Sequence, residues 1–152
     1  MATLHPQLAK DCLLLGKFTL SHLLLMRDAN YPWCILVPDC EGMAEIYQLS
    51  ETDQQQLLRE SSQLSLAMEA AFNPDKLNIA ALGNVVPQLH IHHIARYRTD
   101  ASWPAPVWGR VAVKPYSEGK LAVVVQSLLS ELTKGFKAKK TATEVAATLR
   151  ER

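Results

Sequence analysis

Positions 88–96 read Gln-Leu-His-Ile-His-His-Ile-Ala-Arg, and no other stretch limits the fold of this chain as strongly. Leu89, Ile91 and Ile94 favour a strand, and neither Gly nor Pro interrupts the run. Side chains alternate along a strand, so Gln88, His90 and His92 share one face while Leu89, Ile91 and His93 share the other. Two residues of rise set the His90 and His92 Cα atoms ~6–7 Å apart, both aimed at whatever occupies their side of the sheet.

The surrounding pattern supplies that sheet. Residues 19–26 and 33–37 read as strands joined by the Asp28-Ala29-Asn30-Tyr31-Pro32 turn, and residues 44–49 as a brief extended segment. Residues 76–82 and 86–96 read as strands about a Gly83-Asn84 turn, which predicts an antiparallel pair. Residues 6–15 suggest an amphipathic helix closed by Gly16. Ser50 is an N-cap, with Glu51 and Asp53 favoured in the first turn by the helix dipole; Leu57, Leu64, Met68 and Ala71 then recur at helical spacing until Asn73-Pro74. Ser117 caps a last helix carrying Leu121, Val124, Val125, Leu128, Leu129 and Leu132, with Gly135 as its stop. Residues 99–108, with Pro104, Pro106, Trp103 and Trp108, form an irregular loop wrapped on the body. Strands and helices without regular βαβ alternation predict an α+β fold with an antiparallel sheet of about five strands. Residues 1–135 make a single domain, and residues 136–152 a tail that is either helical or frayed.

At 152 residues the chain can bury a core of its own. Its net charge of +1 offers no basic footprint, so nucleic acid is not an expected partner. Cys12, Cys34 and Cys40 are too few and too irregular for a disulfide framework or zinc finger, and read as free thiols in a reducing compartment. No apolar run nears the ~20 residues of a membrane span, and the N-terminus lacks a signal pattern. A soluble, cytoplasmic protein without a membrane partner is expected.

His5 and His22 read as ordinary structural histidines, and so does His93, which points away from its two neighbours. His90 and His92 beside Gln88 suit reactive phosphate chemistry better than core packing. Two imidazoles in His-x-His could instead begin a metal site, but no third ligand follows at short spacing and the Glu of a cupin pattern is missing, which leaves only a distant residue such as Cys34. Neither metal nor cofactor is expected. A neutral imidazole, with an ordinary pKa of ~6.5, is a competent nucleophile near neutral pH. Attack on phosphorus would give a phosphohistidine, splitting one hard displacement into two easier ones. Gln88, His92 and Asn84 are suitable groups to bind the phosphate around it.

The frame Gly83-Asn84-Val85-Val86-Pro87-Gln88-Leu89-His90-Ile91-His92-His93-Ile94-Ala95-Arg96 resembles the signature of the histidine-triad (HIT) superfamily of nucleotide hydrolases and transferases, His-φ-His-φ-His-φ-φ with φ hydrophobic. The resemblance extends over residues 5–110 and includes Leu24-Leu25-Met26-Arg27-Asp28 before Pro32-Trp33-Cys34-Ile35-Leu36-Val37-Pro38. The chain departs from the signature in three places. Gln88 stands for the first histidine, polar His93 for an aliphatic residue, and Asn84 for the usual turn glutamine. A register shifted by two residues would make His92 central, but Gly83 and Arg96 fit the register centred on His90.

That resemblance implies a HIT-like sheet and a small-molecule nucleotide substrate. His90 would attack the α-phosphorus to form a nucleotidyl-histidine, and water or another acceptor would resolve it. His92 would bind phosphate oxygens, Asn84 the phosphate or leaving group, and Asp28 the ribose hydroxyls. The expected function is hydrolysis of a phosphoanhydride or phosphoramidate bond of a nucleoside (poly)phosphate, such as a dinucleoside polyphosphate. The alternatives are a nucleotidyltransferase using the same intermediate, or a catalytically weak nucleotide-binding or sensing protein. Gln88 can donate to a phosphate oxygen but cannot titrate, which favours substrates with good leaving groups; general acid–base groups contribute ~10²–10⁴-fold. The resemblance also implies a homodimer. Trp103, Trp108 and the nearby prolines would close the site, form the dimer surface or simply pack as aromatics do.

Overall fold

The computed structural model describes residues 2–151. Six strands form one antiparallel sheet in the order β4-β5-β3-β2-β1-β6. They are β1 (Cys12–Lys17), β2 (Ser21–Met26), β3 (Trp33–Pro38), β4 (Lys76–Ala80), β5 (Ile91–Arg96) and the two-residue β6 (Lys137–Ala138). Four α-helices accompany them: α1 (Pro6–Asp11), α2 (Glu51–Phe72), α3 (Glu118–Leu129) and α4 (Ala142–Ala147). The α+β class and its antiparallel sheet are as expected. No helix among the described residues is long and apolar enough to cross a membrane.

Alternation gives the sheet two apolar faces. Leu23, Leu25, Cys34, Leu36, Ile91 and Ala95 face α2 and α3, packing with Leu57, Leu64, Met68, Leu121, Val125 and Leu128. Leu24, Trp33, Ile35, Val37 and Ile94 face the other way, under Leu8 of α1 and Val86 and Val107 of the loops. Every residue of β3 is buried, because helices cover one side and loops the other. Burying one such aliphatic side chain is worth ~1.5–3 kcal/mol. The loop-covered face holds the histidines of interest.

Helix ends follow their caps. Ser50 Oγ accepts from Asp53 N–H at 3.1 Å, Ser117 Oγ from Lys120 N–H at 3.2 Å, and Asn73 closes α2 in the left-handed conformation. On α2 the buried carboxylate of Glu60 accepts from the backbone N–H of Leu20 and Ser21, tying the helix to the start of β2.

Four expectations need correction. The helix expected over residues 6–15 stops at Asp11, and Cys12–Lys17 is strand, since pairing with β2 along its whole length outweighs the local amphipathic pattern. Residues 44–49 are not extended: Ile46–Gln48 is a 3₁₀ turn, because Gln48 Oε1 captures the N–H groups of Ala44 and Glu45. The last long helix ends at Leu129 rather than at Gly135; its C-cap Ser130 turns its hydroxyl back onto Ser127 O. The histidine strand begins at Ile91 rather than at residue 86, since β4 ends opposite His92. The segment before it bonds elsewhere, Leu89 N–H to Met43 O.

Beyond Gly135, β6 pairs with β1, and α4 buries Ala142, Val145 and Ala146 in the helix-side core. The close approach rests on Gly16, at a β-bulge in β1, where a Cβ would lie 2.3 Å from Lys137 O.

Candidate functional site

His90, just before β5, and His92, within it, turn to the loop-covered face with ring centroids 4.9 Å apart. Ile91 between them packs into the helix-side core. They line a cleft of about 320 Å³ with Gln7, Asp11, Asn84, Val86, Trp33 and Trp108. Gly83 takes a left-handed φ of 74°, which a side chain would strain, and this turn delivers Asn84 to the cleft.

The two rings are held in different tautomers. His90 Nδ1 lies 2.7 Å from the carbonyl oxygen of Gln88, which can only accept. The neutral His90 ring is therefore protonated at Nδ1 and keeps its lone pair on Nε2. At His92 the pattern is reversed. Trp33 Nε1–H donates to His92 Nδ1 at 3.0 Å, and an indole can only donate, so the His92 proton sits on Nε2. Burial, followed by neighbouring His90 and His93, pushes the His92 pKa down to about 3, and the ring is neutral at physiological pH. A nitrogen lone pair and an N–H donor thus stand side by side.

His93 belongs to the opposite face. It is fully buried, donates from Nδ1 to Ile91 O at 3.1 Å, and takes the Ser61 hydroxyl on Nε2 at 2.7 Å. Burial pushes its pKa down to about 4. Cys34, its register partner across β3, lies in the helix-side core, away from His90 and His92. No group of three or more His, Cys, Asp or Glu side chains among the described residues is placed to hold a metal ion.

Gln88 leaves the cleft. Its Oε1 accepts from His5 N–H at 2.8 Å and its Nε2 donates to Thr3 O at 3.1 Å, so the side chain holds the N-terminal segment while its carbonyl holds His90.

Asp28 lies in an adjoining cavity of about 490 Å³, which shares the walls Asp11, Met26 and Trp33 with the histidine cleft. It is buried, and its Oδ1 accepts from Asn30 N–H, Asn30 Nδ2 and Lys114 N–H. Its Oδ2 takes none of these bonds. Apolar Leu13, Met26, Val113 and Leu149 line the same cavity. A largely apolar pocket with the Asp28 and Asp11 carboxylates in its wall can take a flat ring joined to a group with vicinal hydroxyls.

Two groups that shape the site carried no assigned role in the sequence reading. Trp33 lies diagonally across from His92, because Ile35 is the residue paired with it; strand register, once known, identifies it. Arg96 is 1% exposed and ties down the following loop. Its guanidinium donates to Asp100 at 2.8 Å, Asn78 Oδ1 at 2.8 Å and Ala105 O at 2.8 Å, between the rings of Tyr31 and Trp103. The loop so anchored brings Trp108 to 5.1 Å from the His92 ring and 5.7 Å from Trp33.

The HIT domain family model matches residues 7–99. Among solved structures, a histidine triad protein from Marinobacter aquaeolei is 51% identical, with a TM-score of 0.84 over 87% of this chain and 96% of that one. A histidine triad protein from Bradyrhizobium japonicum is 43% identical, with a TM-score of 0.85 over 86% and 98%. One from Sinorhizobium meliloti is 36% identical, with a TM-score of 0.83 over 86% and 96%. Comparison with curated proteins gave no match. With the family model matched over more than half its length and relatives this similar along nearly all of theirs, the chain belongs to the HIT domain family, whose members are typically nucleotide hydrolases or transferases.

Proposed function

We propose that this protein hydrolyses a phosphoanhydride or phosphoramidate bond of a nucleoside (poly)phosphate through a nucleotidyl-histidine at His90. The observation that carries this reading is the hydrogen bond from His90 Nδ1 to the Gln88 carbonyl, which leaves the Nε2 lone pair for phosphorus. The base would enter the apolar cavity, with Asp28 Oδ2 accepting the ribose hydroxyls. The α-phosphate would then lie in the histidine cleft, with Asn84 and the His92 Nε2–H on its oxygens.

In the first step the Nε2 lone pair forms a bond to the α-phosphorus, and the bond to the leaving group breaks with its electrons going to that group. The phosphorylated ring becomes cationic, and its Nδ1–H stays on the Gln88 carbonyl, a bond that strengthens with the charge. In the second step water attacks phosphorus and loses its proton to solvent, and the P–N electrons return to Nε2. An acceptor other than water would make the same intermediate a transferase.

Incubation with diadenosine tetraphosphate or an adenosine phosphoramidate should release a mononucleotide and leave an adduct, seen by intact mass and mapped to His90. His90→Ala should lower turnover by at least ~10³-fold and abolish the adduct. Undiminished turnover by that variant would sink the reading.

We also propose a homodimer through the β4 edge of the sheet. Its support is an unpaired strand edge with exposed Ile79, followed by exposed Leu82 and Val85. Light scattering should give twice the chain mass, and Ile79→Lys should give the chain mass alone.

A further inference from the structure

Cleavage at phosphorus expels a group with its bonding electrons. A phosphate leaves as a stable anion, whereas an alkylamine must acquire a proton to leave. Few groups near His90 could supply one. Position 88 is an amide, already bonded to Thr3 O and His5 N–H, and it does not titrate. Asp11 from α1 accepts the Gln7 amide on Oδ2. Asn84 and Trp108 do not titrate. That leaves His92, whose titratable neighbours are His90 and, behind the strand, His93.

His92 can act as an acid only if both ring nitrogens are protonated. Its Nδ1 already receives the Trp33 N–H at 3.0 Å. A proton there would set two donors against each other in a buried site, where an unsatisfied donor costs ~1–3 kcal/mol. Trp108 packs edge-on against the same ring, at 76°, and limits its rotation away from Trp33. Burial acts in the same direction as this geometry.

Building on the nucleotidyl-histidine reading, we propose that Trp33 is a positioning residue that fixes His92 as a neutral N–H donor, and that the site consequently cleaves phosphoanhydrides and discriminates against alkyl phosphoramidates. His90 Nε2 bonds to the α-phosphorus while the bridging P–O bond breaks, and the departing phosphate keeps the electron pair without a proton. His92 Nε2–H donates to a non-bridging oxygen throughout and transfers nothing. For an alkylamine leaving group the missing proton has no donor in the cleft.

The test compares diadenosine tetraphosphate with adenosine 5′-phosphoro-N-butylamidate. The wild-type kcat/KM at neutral pH should favour the anhydride by at least ~10²–10⁴-fold, the usual contribution of a general acid. Trp33→Phe removes the N–H and frees Nδ1 to take a proton. An acid-dependent limb should then appear in kcat/KM for the amidate below the ordinary imidazole range, because burial still disfavours the cation, and the preference should narrow as the pH falls. A purely structural role for Trp33 would lower both substrates together without a new ionisation. Nitrogen NMR of the wild type gives a reading that needs no variant: His92 should remain the neutral Nε2–H tautomer at pH 5. An imidazolium or an Nδ1–H tautomer there, or equal turnover of the two substrates, would overturn the proposal. Turnover of the anhydride without any adduct on His90 would instead overturn the reading on which it rests, while the NMR spectrum still decides the role of Trp33.

Discussion

The Gln88 side chain and the backbone of His5 are joined across the N-terminal end of the molecule, His5 N–H to Oε1 at 2.8 Å, while the same amide donates to Thr3 O. This glutamine divides its duties. Its side chain fastens the segment that leads into α1, and its carbonyl sets the tautomer of His90.

Gln88→Ala should therefore loosen the N-terminus without releasing His90. One part-buried and one exposed hydrogen bond, worth together about 1 kcal/mol, predict a small loss in urea unfolding. Limited proteolysis should become faster within residues 2–7, and the His90 adduct should still form.

Asp100 predicts an acid limb of stability. Burial alone would raise its pKa, but hydrogen bonds from Arg96 and from the N–H groups of Tyr97, Ser102 and Trp103 outweigh it and bring the value to about 2, from 3.8. A depressed folded-state value stabilises above the unfolded one and is lost as pH falls from about 4 through about 2. Its worth is about 2 kcal/mol at neutral pH. Denaturant midpoints should fall over that window, and Asp100→Asn should flatten the fall. The variant should also cost ~3–5 kcal/mol at pH 7, because Arg96 keeps its buried charge without the carboxylate.

Gly16→Ala should detach the tail. The new Cβ would sit 2.3 Å from Lys137 O and 2.6 Å from Phe136 Cζ, and the backbone on one side cannot yield cheaply. A loss of ~1–3 kcal/mol is expected. Hydrogen exchange should speed up over residues 137–147 while β3 and β5 stay protected.

Glu60 separates charge from shape. Glu60→Ala leaves the N–H groups of Leu20 and Ser21 buried without acceptors, at ~1–3 kcal/mol each. Glu60→Gln keeps one acceptor oxygen and should lose clearly less. Thermal unfolding of the pair of variants checks the order.

Much of the fold was legible because it follows local periodicity. The stripe of Leu57, Leu64 and Met68 and the caps Ser50 and Ser117 lie where composition and spacing put them, and the strands expected at 19–26, 33–37 and 76–82 form within two residues of those bounds. Two of the errors share one cause. Cys12–Lys17 is amphipathic enough for a helix, and only β2 beside it makes it a strand. Residues 86–90 have strand composition but no partner strand, because β4 has already ended.

The site divides along the same line. Alternation along a strand is a covalent property of the backbone, so the pairing of His90 with His92 on one face, and the exclusion of His93 from it, could be read from residue order alone. Which nitrogen of each ring carries the proton could not. For His90 that depends on how the backbone turns the nearby Gln88 carbonyl, and for His92 on an indole on a neighbouring strand, distant in the chain and brought there by register and packing. Gln88 is the sharpest case: strand alternation points it to the cleft, and its hydrogen bonds take it to the N-terminus, where the backbone of Thr3 and His5 offers its amide partners.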